Sequence, residues 1–246
     1  MDISSFEEWN IHIDSQFFLR ADQIWSDTTP IISLKKAEQL NLKMDLSHSV
    51  GLLDSAEQKK KIILETVYKS GLHQGLAPLL SCESFLIEDN HYSLFLRPRI
   101  AEFCLAMQGG DLEQIRNCTA QIAGCGPGLT PSADDFICGF LSVWALCETA
   151  PLELIGNKIK AAAYEAAKHT NDVSASFLKN YAEGLYPLEM FEFIKALASN
   201  SEPKTLRKAC EKIIQFGSTS GTDYLCGIYY ALKQIKNPGK SRGSLI

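Results

Sequence analysis

The first third of the chain alternates short apolar stretches with polar turns. Short apolar runs bounded by Asp, Ser and Pro are typical of β-strands. The runs in question are Ile11 with Ile13, Phe17 to Leu19, and Ile31 to Leu34. The pattern therefore predicts a small β region near the N-terminus.

A helix and a hairpin are predicted next. Asp54 and Glu57 resemble an acidic capping box, and apolar residues follow a helical period from there to Tyr68, before Gly71. Further along, Phe85 to Glu88 and Tyr92 to Leu96 flank the turn-prone Asp89-Asn90-His91. Two such runs around a turn predict a β-hairpin, with β structure ending near Arg97.

After Pro98 the periodicity becomes helical. The first predicted helix covers residues 100–108, and a second is capped by Asp111 and runs toward Ala123. Further helices are predicted at residues 134–147, 152–168, 174–183, 188–198, 204–216 and 222–235. The sequence thus predicts an α+β fold. A β-rich N-terminal subdomain with one helix (residues 1–98) precedes a mostly helical C-terminal subdomain (residues 99–246) that carries the polar motifs described below.

Composition and charge narrow the class of protein. Of the 246 residues 46% are hydrophobic and 22% charged, with a formal net charge of −5. This is the balance of a globular protein, and scattered basic residues argue against nucleic-acid binding. The acidic N-terminus lacks a secretory signal, and the longest nearly apolar run, Phe136 to Cys147, is too short to span a membrane. We expect a cytoplasmic protein.

The eight cysteines are expected to be reduced thiols. They form no CxxC pair, and no His lies at zinc-finger spacing from two of them, so neither a metal site nor a cofactor is predicted. Cys138 and Cys226 fall on apolar helix faces, where a buried and unreactive thiol is expected.

The segment 124–135, GCGPGLTPSADD, is rich in glycine, proline and hydroxyl side chains and lies directly before an apolar helix. Glycines allow a close approach of the backbone to a ligand, and the free N–H groups at a helix start favour an anion. We therefore predict a phosphate- or carboxylate-binding site, although no Walker A or dinucleotide motif is present. The predicted substrate-binding residues here are Gly126, Gly128, Thr130, Ser132 and Asp134. Alternatively, Ser132 and Asp135 form a helix cap.

A second segment repeats the first, since TPSADDFICGF (130–140) aligns without gaps on STSGTDYLCGI (218–228). Both copies lie at a helix start and place a hydroxyl and a carboxylate one turn apart. We predict that the two helix starts converge on one ligand. Asp135 and Asp223 are the candidate catalytic residues, orienting a substrate amide or a metal-bound water, and Ser218, Ser220 and Gly221 join the binding residues. Alternatively, the carboxylates only stabilise their own helices, and Gly139 and Gly227 let those helices pack closely.

A third polar run, His169 to Ser176, precedes another predicted helix. Thr170 and Ser174 are predicted to add a third wall to the site. The alternative is ordinary N-capping by Ser174 or Asp172. A lone histidine such as His169 is more often structural or exposed than catalytic.

Three ordered blocks, GPGLTPSADDF, HTNDVSASFL and FGSTSGTDYLCG, resemble the signature blocks of the AllH-like family. The family pattern usually carries Gly at the place of Ala133, a departure that leaves the hydroxyls and carboxylates intact. The resemblance implies a subunit of oxamate carbamoyltransferase, which converts oxalurate and phosphate to oxamate and carbamoyl phosphate in anaerobic allantoin degradation. It also implies a hetero-oligomer with other carbamoyltransferase subunits, but it supplies no set of catalytic residues.

Three functions stay open at this point. The chain contributes to a carbamoyltransferase active site that needs partner chains, or it is a noncatalytic scaffold or anion-sensing subunit. The third reading is an independent acyl or phosphoryl transferase with another substrate. All three would use a small anionic substrate or phosphate, which agrees with binding at helix N-termini.

Overall fold

The computed structural model describes residue 11 and residues 14–44, 55–147, 151–199 and 202–234. The predicted features at Ile13 and Asp54 lie outside these ranges. The chain divides into two compact units, Met1–Asn41 and Leu42–Ile246. The boundary predicted at residue 98 falls inside a helix, His91–Gly109.

The first unit contains a three-stranded antiparallel sheet in the order β1-β2-β3. Its strands are β1 (Phe17–Arg20), β2 (Gln23–Ser26) and β3 (Thr29–Ser33). Tight turns join them, and Ala21 and Asp27 adopt positive φ angles there. The predicted runs Phe17 to Leu19 and Ile31 to Leu34 correspond to β1 and β3, whereas Ile11 is not in a strand and β2 was not predicted.

In the described part of the second unit, the regular elements are helices, and β structure is limited to isolated bridges. Its helices are α1 (Ala56–Ser70), α2 (His91–Gly109), α3 (Leu112–Ala120), α4 (Ser132–Cys147), α5 (Leu152–Ala166), α6 (Asp172–Ala182), α7 (Leu188–Ala198), α8 (Pro203–Ile214) and α9 (Ser220–Lys233), with a short 3₁₀ helix at Ala77–Leu80. A sheet followed by helices confirms the predicted α+β class.

The predicted hairpin around Asp89-Asn90-His91 is wrong. Asn90 caps α2 by accepting hydrogen bonds from the amides of Tyr92 and Ser93, and the Ser93 hydroxyl accepts one from the Asn90 amide in return. This capping box starts a helix at His91 that runs through Pro98. The apolar residues from Tyr92 to Leu96 are therefore helical.

The core of the second unit surrounds α4 and α9. Apolar side chains of α4 such as Phe136, Phe140 and Trp144 are fully buried, as are Tyr224 and Leu225 on α9. A helix that is apolar on nearly every side is expected at the centre of a bundle rather than on its surface. The first turns of these two central helices carry the candidate site.

Candidate functional site

The two sequence repeats form α4 and α9, which pack directly against each other. A Cβ atom placed on Gly139 would lie 2.0 Å from the carbonyl oxygen of Tyr224, and one on Gly227 would lie 2.0 Å from that of Phe136. Phe136 and Tyr224 occupy equivalent positions in the repeats, so the two contacts are reciprocal. The glycines therefore allow the close packing that the sequence suggested, and the helix pair is related by an approximate two-fold axis.

This packing brings the two helix starts together. The Thr130 and Ser220 hydroxyl oxygens, one from each repeat, lie 2.9 Å apart and share a hydrogen bond. Burial raises the pKa of Asp135 and of Asp223; the Ser220 and Thr130 hydroxyls oppose this rise at Asp135, and the Ser132 and Thr219 hydroxyls oppose it at Asp223. Each carboxylate thus faces the serine of the other repeat. We call Thr130, Ser132, Asp135, Ser220 and Asp223 the paired-turn cluster.

Asp135 is a carboxyl group that burial keeps largely protonated at neutral pH. Desolvation raises its pKa to about 8, the Ser220 hydroxyl lowers it, and the charge of Asp223 raises it further. Its Oδ2 atom is buried and has no hydrogen-bond partner among the described residues. A protonated carboxyl with a free oxygen is able to donate a hydrogen bond to a ligand.

Asp223 is held from the opposite side. Its Oδ1 atom accepts a 2.6 Å hydrogen bond from the Leu76 amide, and Gly75 leaves the room for it, since a Cβ there would lie 2.2 Å away. Burial raises the pKa of Asp223 to about 6, against the lowering effect of the Leu76 amide. Asp223 is therefore mostly ionised at pH 7.

Two more polar atoms of the cluster are buried without a partner in the described chain. They are Asp223 Oδ2 and Ser132 Oγ, on residues 0% and 1% exposed. The Ser132 hydroxyl is near enough to lower the pKa of Asp223, but the two groups do not meet in hydrogen-bonding geometry. Buried polar atoms are usually satisfied, so this orphaned set marks a place where a ligand group or water fits.

A small cavity opens beside Asp135. It holds about 20 Å³, enough for a single water molecule. Its walls come from the first repeat (Thr130, Asp135, Cys138), from Phe177 and Tyr181 of α6, and from Met190, Phe216 and Tyr224. No lysine or arginine is among these side chains, so the positive charge that an anionic ligand needs does not come from this wall.

The segment that carries the paired-turn cluster matches a known family. Residues 122–232 match the family model of oxamate carbamoyltransferase subunit AllH. The AllH segment, residues 122–232, includes α4 to α8, all of α9 except its last residue, and every member of the paired-turn cluster. The match confirms the resemblance predicted from the three motifs. The family description is that of a subunit, which implies a multi-subunit complex. No solved structure matches the chain.

Within the AllH segment, Asp134 ties two loops to α4. Its carboxylate accepts hydrogen bonds from the Gly124 amide (2.8 Å) and from the hydroxyls of Thr170 (2.5 Å) and Ser174 (2.7 Å). Burial nevertheless raises the pKa of Asp134. Thr170 and Ser174 therefore lie against the start of α4, where their hydroxyls already bond to Asp134.

The cap of α6 differs from the expected one. Asn171, rather than Ser174 or Asp172, accepts the hydrogen bonds of the first-turn amides, from Val173 and Ser174. Asn171 precedes the first helical residue, which is where a capping side chain reaches those amides. His169 lies on the surface and contacts Glu165 at 3.1 Å.

The amides at the two helix starts are largely used within the chain. The amide of Ala133 donates to the Cys125 carbonyl, and those of Asp134 and Asp135 donate to Pro131. On α9, Gly221 donates to Phe216 and Asp223 to Thr219. An anion held by these amides, as the sequence suggested, would have to displace such bonds.

The predicted glycines have different surroundings. Gly126 has a φ of +133°, and a Cβ there would lie 2.3 Å from the Ser132 amide nitrogen, so only glycine fits against the start of α4. Gly128 has a φ of +87° and open space around it. Gly221 packs on α8, where a Cβ would lie 1.7 Å from the Ile213 carbonyl oxygen. Ser218 is exposed before α9, and no hydrogen bond joins it to the cluster in the described structure.

Sequence reasoning missed the residues that close the site from other elements. Gly75 and Leu76 lie about 150 positions before Asp223, and Phe177 and Tyr181 line the cavity from α6. The i, i+4 spacing of Phe177 and Tyr181 was the available signal, but it is typical of any core-facing helix.

Other functional classes gain no support from the described residues. Among them, no three His, Cys, Asp or Glu side chains are grouped as metal ligands. The thiols of Cys138 and Cys226 are buried, and burial raises their pKa well above the ordinary value, as expected for unreactive thiols. No helix in the described part of the chain has the length and apolar character needed to cross a membrane.

Proposed function

We propose that the chain is a subunit of an oxamate carbamoyltransferase that works with partner chains on oxalurate and phosphate. The observation that carries the proposal is the pair of equivalent carboxyl groups, Asp135 and Asp223, at two packed helix starts. Each has an oxygen without a hydrogen-bond partner among the described residues. Buried carboxyl groups whose pKa values are moved toward neutrality are typical of acid–base sites. The match of residues 122–232 to the family of oxamate carbamoyltransferase subunit AllH supports the choice of this reaction.

The two carboxyl groups are suited to different roles. Hydrogen phosphate attacks the carbamoyl carbon of oxalurate, the bond from that carbon to the oxamate nitrogen breaks, and the nitrogen takes up a proton. The attacking phosphate releases one proton, which restores the proton donor. Asp135 is the candidate proton donor because its pKa is about 8. Asp223, with a pKa of about 6, is mostly ionised and accepts hydrogen bonds from the terminal NH₂ of the carbamoyl group.

The hydroxyls complete this arrangement. Ser132 and Ser220 are placed to donate to the oxyanion that develops on the carbamoyl oxygen. Because no lysine or arginine lines the cavity, we infer that a partner chain holds the anionic groups of oxalurate and phosphate. This division of labour accounts for an activity that needs more than one subunit.

Asp135→Asn and Asp223→Asn test the proposal in the reconstituted complex. Each variant keeps the shape of the side chain, but Asp135→Asn loses the proton donor and Asp223→Asn loses the negative charge that accepts hydrogen bonds. Turnover of oxalurate and phosphate is expected to fall by about 100-fold or more in Asp135→Asn, the usual contribution of a general acid or base, and to fall in Asp223→Asn as well. Asp172→Asn, a matched change at an exposed carboxylate in the first turn of α6, should leave turnover unchanged. Full activity of both cluster variants would refute a catalytic role.

A noncatalytic scaffold or anion-sensing subunit is the second candidate. It is favoured by the size of the cavity, since about 20 Å³ admits water but not oxalurate unless side chains move. Calorimetry of the isolated chain with phosphate, carbamoyl phosphate and oxalurate tests whether the chain binds an anion without its partners, as a sensing subunit should. Sensing is untenable if none of the three binds the chain or changes its association with partners.

A further inference from the structure

The outward face of α2 is apolar, and its side chains are exposed in the described structure. Leu94, Phe95 and Leu105 are 59%, 46% and 65% exposed, and Pro98 and Ala101 between them are also exposed. The opposite face of the helix, with Ile100 and Phe103, is fully buried in the core. A helix that is apolar on both faces is expected to be covered on both.

The spacing of this stripe is symmetric along the helix. Leu94, Pro98, Ala101 and Leu105 are separated by four, three and four positions, so they share one face. The two leucines are equally far from the midpoint between residues 99 and 100, and so are Pro98 and Ala101. In an antiparallel pair of α2 helices, each leucine would meet the other leucine of the second copy, and the small residues would allow close approach at the centre.

Charged residues beside the stripe are complementary under the same symmetry. Arg99 folds back along the helix, with its guanidinium 3.8 Å from the centre of the Phe95 ring and donating to the Phe95 carbonyl oxygen at 2.7 Å. The symmetry places Glu102 of a second copy level with residue 97, on the side of the helix that carries Phe95. In the described structure neither Arg99 nor Glu102 has an ion pair within its own chain. Both charges are therefore available to a second copy.

We propose that the chain forms a two-fold symmetric homodimer through antiparallel packing of the α2 stripe, Leu94, Phe95, Pro98, Ala101 and Leu105. Arg99 of each copy pairs with Glu102 of the other, and the two pairs fix the register. Such an interface is isologous, because the same residues contribute from both sides. The proposal does not depend on the chemistry of the paired-turn cluster, since α2 lies outside the AllH segment.

Sedimentation equilibrium of the full chain at about 1 to 100 µM tests for the dimer, since weak interfaces associate in this range. Leu105→Glu is expected to raise the dimer dissociation constant by about 100-fold or more, because the symmetric interface contains the substituted position twice. Leu105 is 65% exposed in the single chain, so the monomer should fold normally. Leu154→Glu, a matched change at a 42% exposed leucine of α5, should leave the dissociation constant unchanged.

Charge reversal tests the register. Arg99→Glu alone and Glu102→Arg alone each place like charges opposite one another and should weaken the dimer by about fivefold or more. The double variant restores opposite charges and should recover most of the wild-type affinity. A wild-type chain that stays monomeric throughout, or that associates only with a different subunit through this face, overturns the proposal. Failure of the double variant to recover affinity overturns the antiparallel register.

Discussion

At the scale of single residues, burial without a positively charged partner raises the pKa of the carboxyl groups in the paired-turn cluster. A carboxyl group on the surface ionises near pH 4, and the loss of water around Asp135 is large enough to raise its pKa to about 8 despite hydroxyl donors. Asp134 differs from Asp135 in its hydrogen bonds. It is also buried, but three donors satisfy its carboxylate, so it fixes loops in place rather than offering free oxygens.

The raised pKa of Asp135 predicts how stability depends on pH. Between the unfolded pKa near 3.8 and the folded pKa of about 8, the folded chain holds a proton that the unfolded chain has lost. The contribution of this group to stability is therefore complete below pH 4 and lost progressively as the pH rises toward 8. Asp135→Asn removes this titration. Its free energy of unfolding should rise relative to wild type by up to about 1.4 kcal/mol per pH unit across the window.

Urea unfolding of both proteins at pH 5, 6, 7 and 8 measures the effect, about 1 to 3 kcal/mol between pH 5 and 7. Asp172→Asn, the same change at an exposed position of α6, serves as the control. Parallel profiles for wild type and Asp135→Asn would mean that Asp135 is ionised in the folded chain across this range, contrary to its assigned role as a proton donor.

At the scale of elements, the two glycines between α4 and α9 determine how closely the repeats approach. Gly139→Ala or Gly227→Ala would bring a methyl group to 2.0 Å from a backbone oxygen of the other helix, so the helices must separate. We expect each substitution to lower the free energy of unfolding by about 2 to 4 kcal/mol. Urea unfolding measures this loss.

Gly156→Ala in α5 is the matched control, because no atom lies within 4 Å of a Cβ built there. With no clash, alanine should stabilise the helix by about 0.5 to 1 kcal/mol. If Gly156→Ala lost as much stability as Gly139→Ala, the contact between the repeats would not be the reason that Gly139 must be glycine.

Most elements could be predicted from the sequence because their local signals agree with their final surroundings. α7 begins and ends where its periodicity predicts, and α4, α8 and α9 shift by one or two residues at their ends. The hairpin failed because turn-prone Asp89-Asn90 is equally suited to cap a helix, and only the reciprocal Ser93 contact decides between them. Gly75 and Leu76 could not be assigned to the site because their contact with Asp223 depends on tertiary folding.

At the scale of the whole molecule, the core and the site belong to the second unit, Leu42–Ile246, and they begin before residue 98. The buried apolar cluster runs from Ile62 to Leu232 and includes Ile63 and Val67 of α1. The chain around residue 43 also contacts the turn after α6, where the Met44 amide donates to the Gly184 carbonyl. These contacts predict that a fragment of residues 42–246 folds cooperatively by itself.

A fragment of residues 99–246 corresponds to the helical subdomain expected from the sequence, and it should not fold. It lacks α1, cuts α2 near its middle, and removes the Leu76 amide that holds Asp223. Circular dichroism and urea unfolding of both fragments distinguish the two boundaries. The longer fragment should keep a single transition within about 1 kcal/mol of the corresponding transition of the full chain, whereas the shorter one should show none. Cooperative folding of the shorter fragment would instead place the structural boundary near residue 98 and make α1 an accessory to the core.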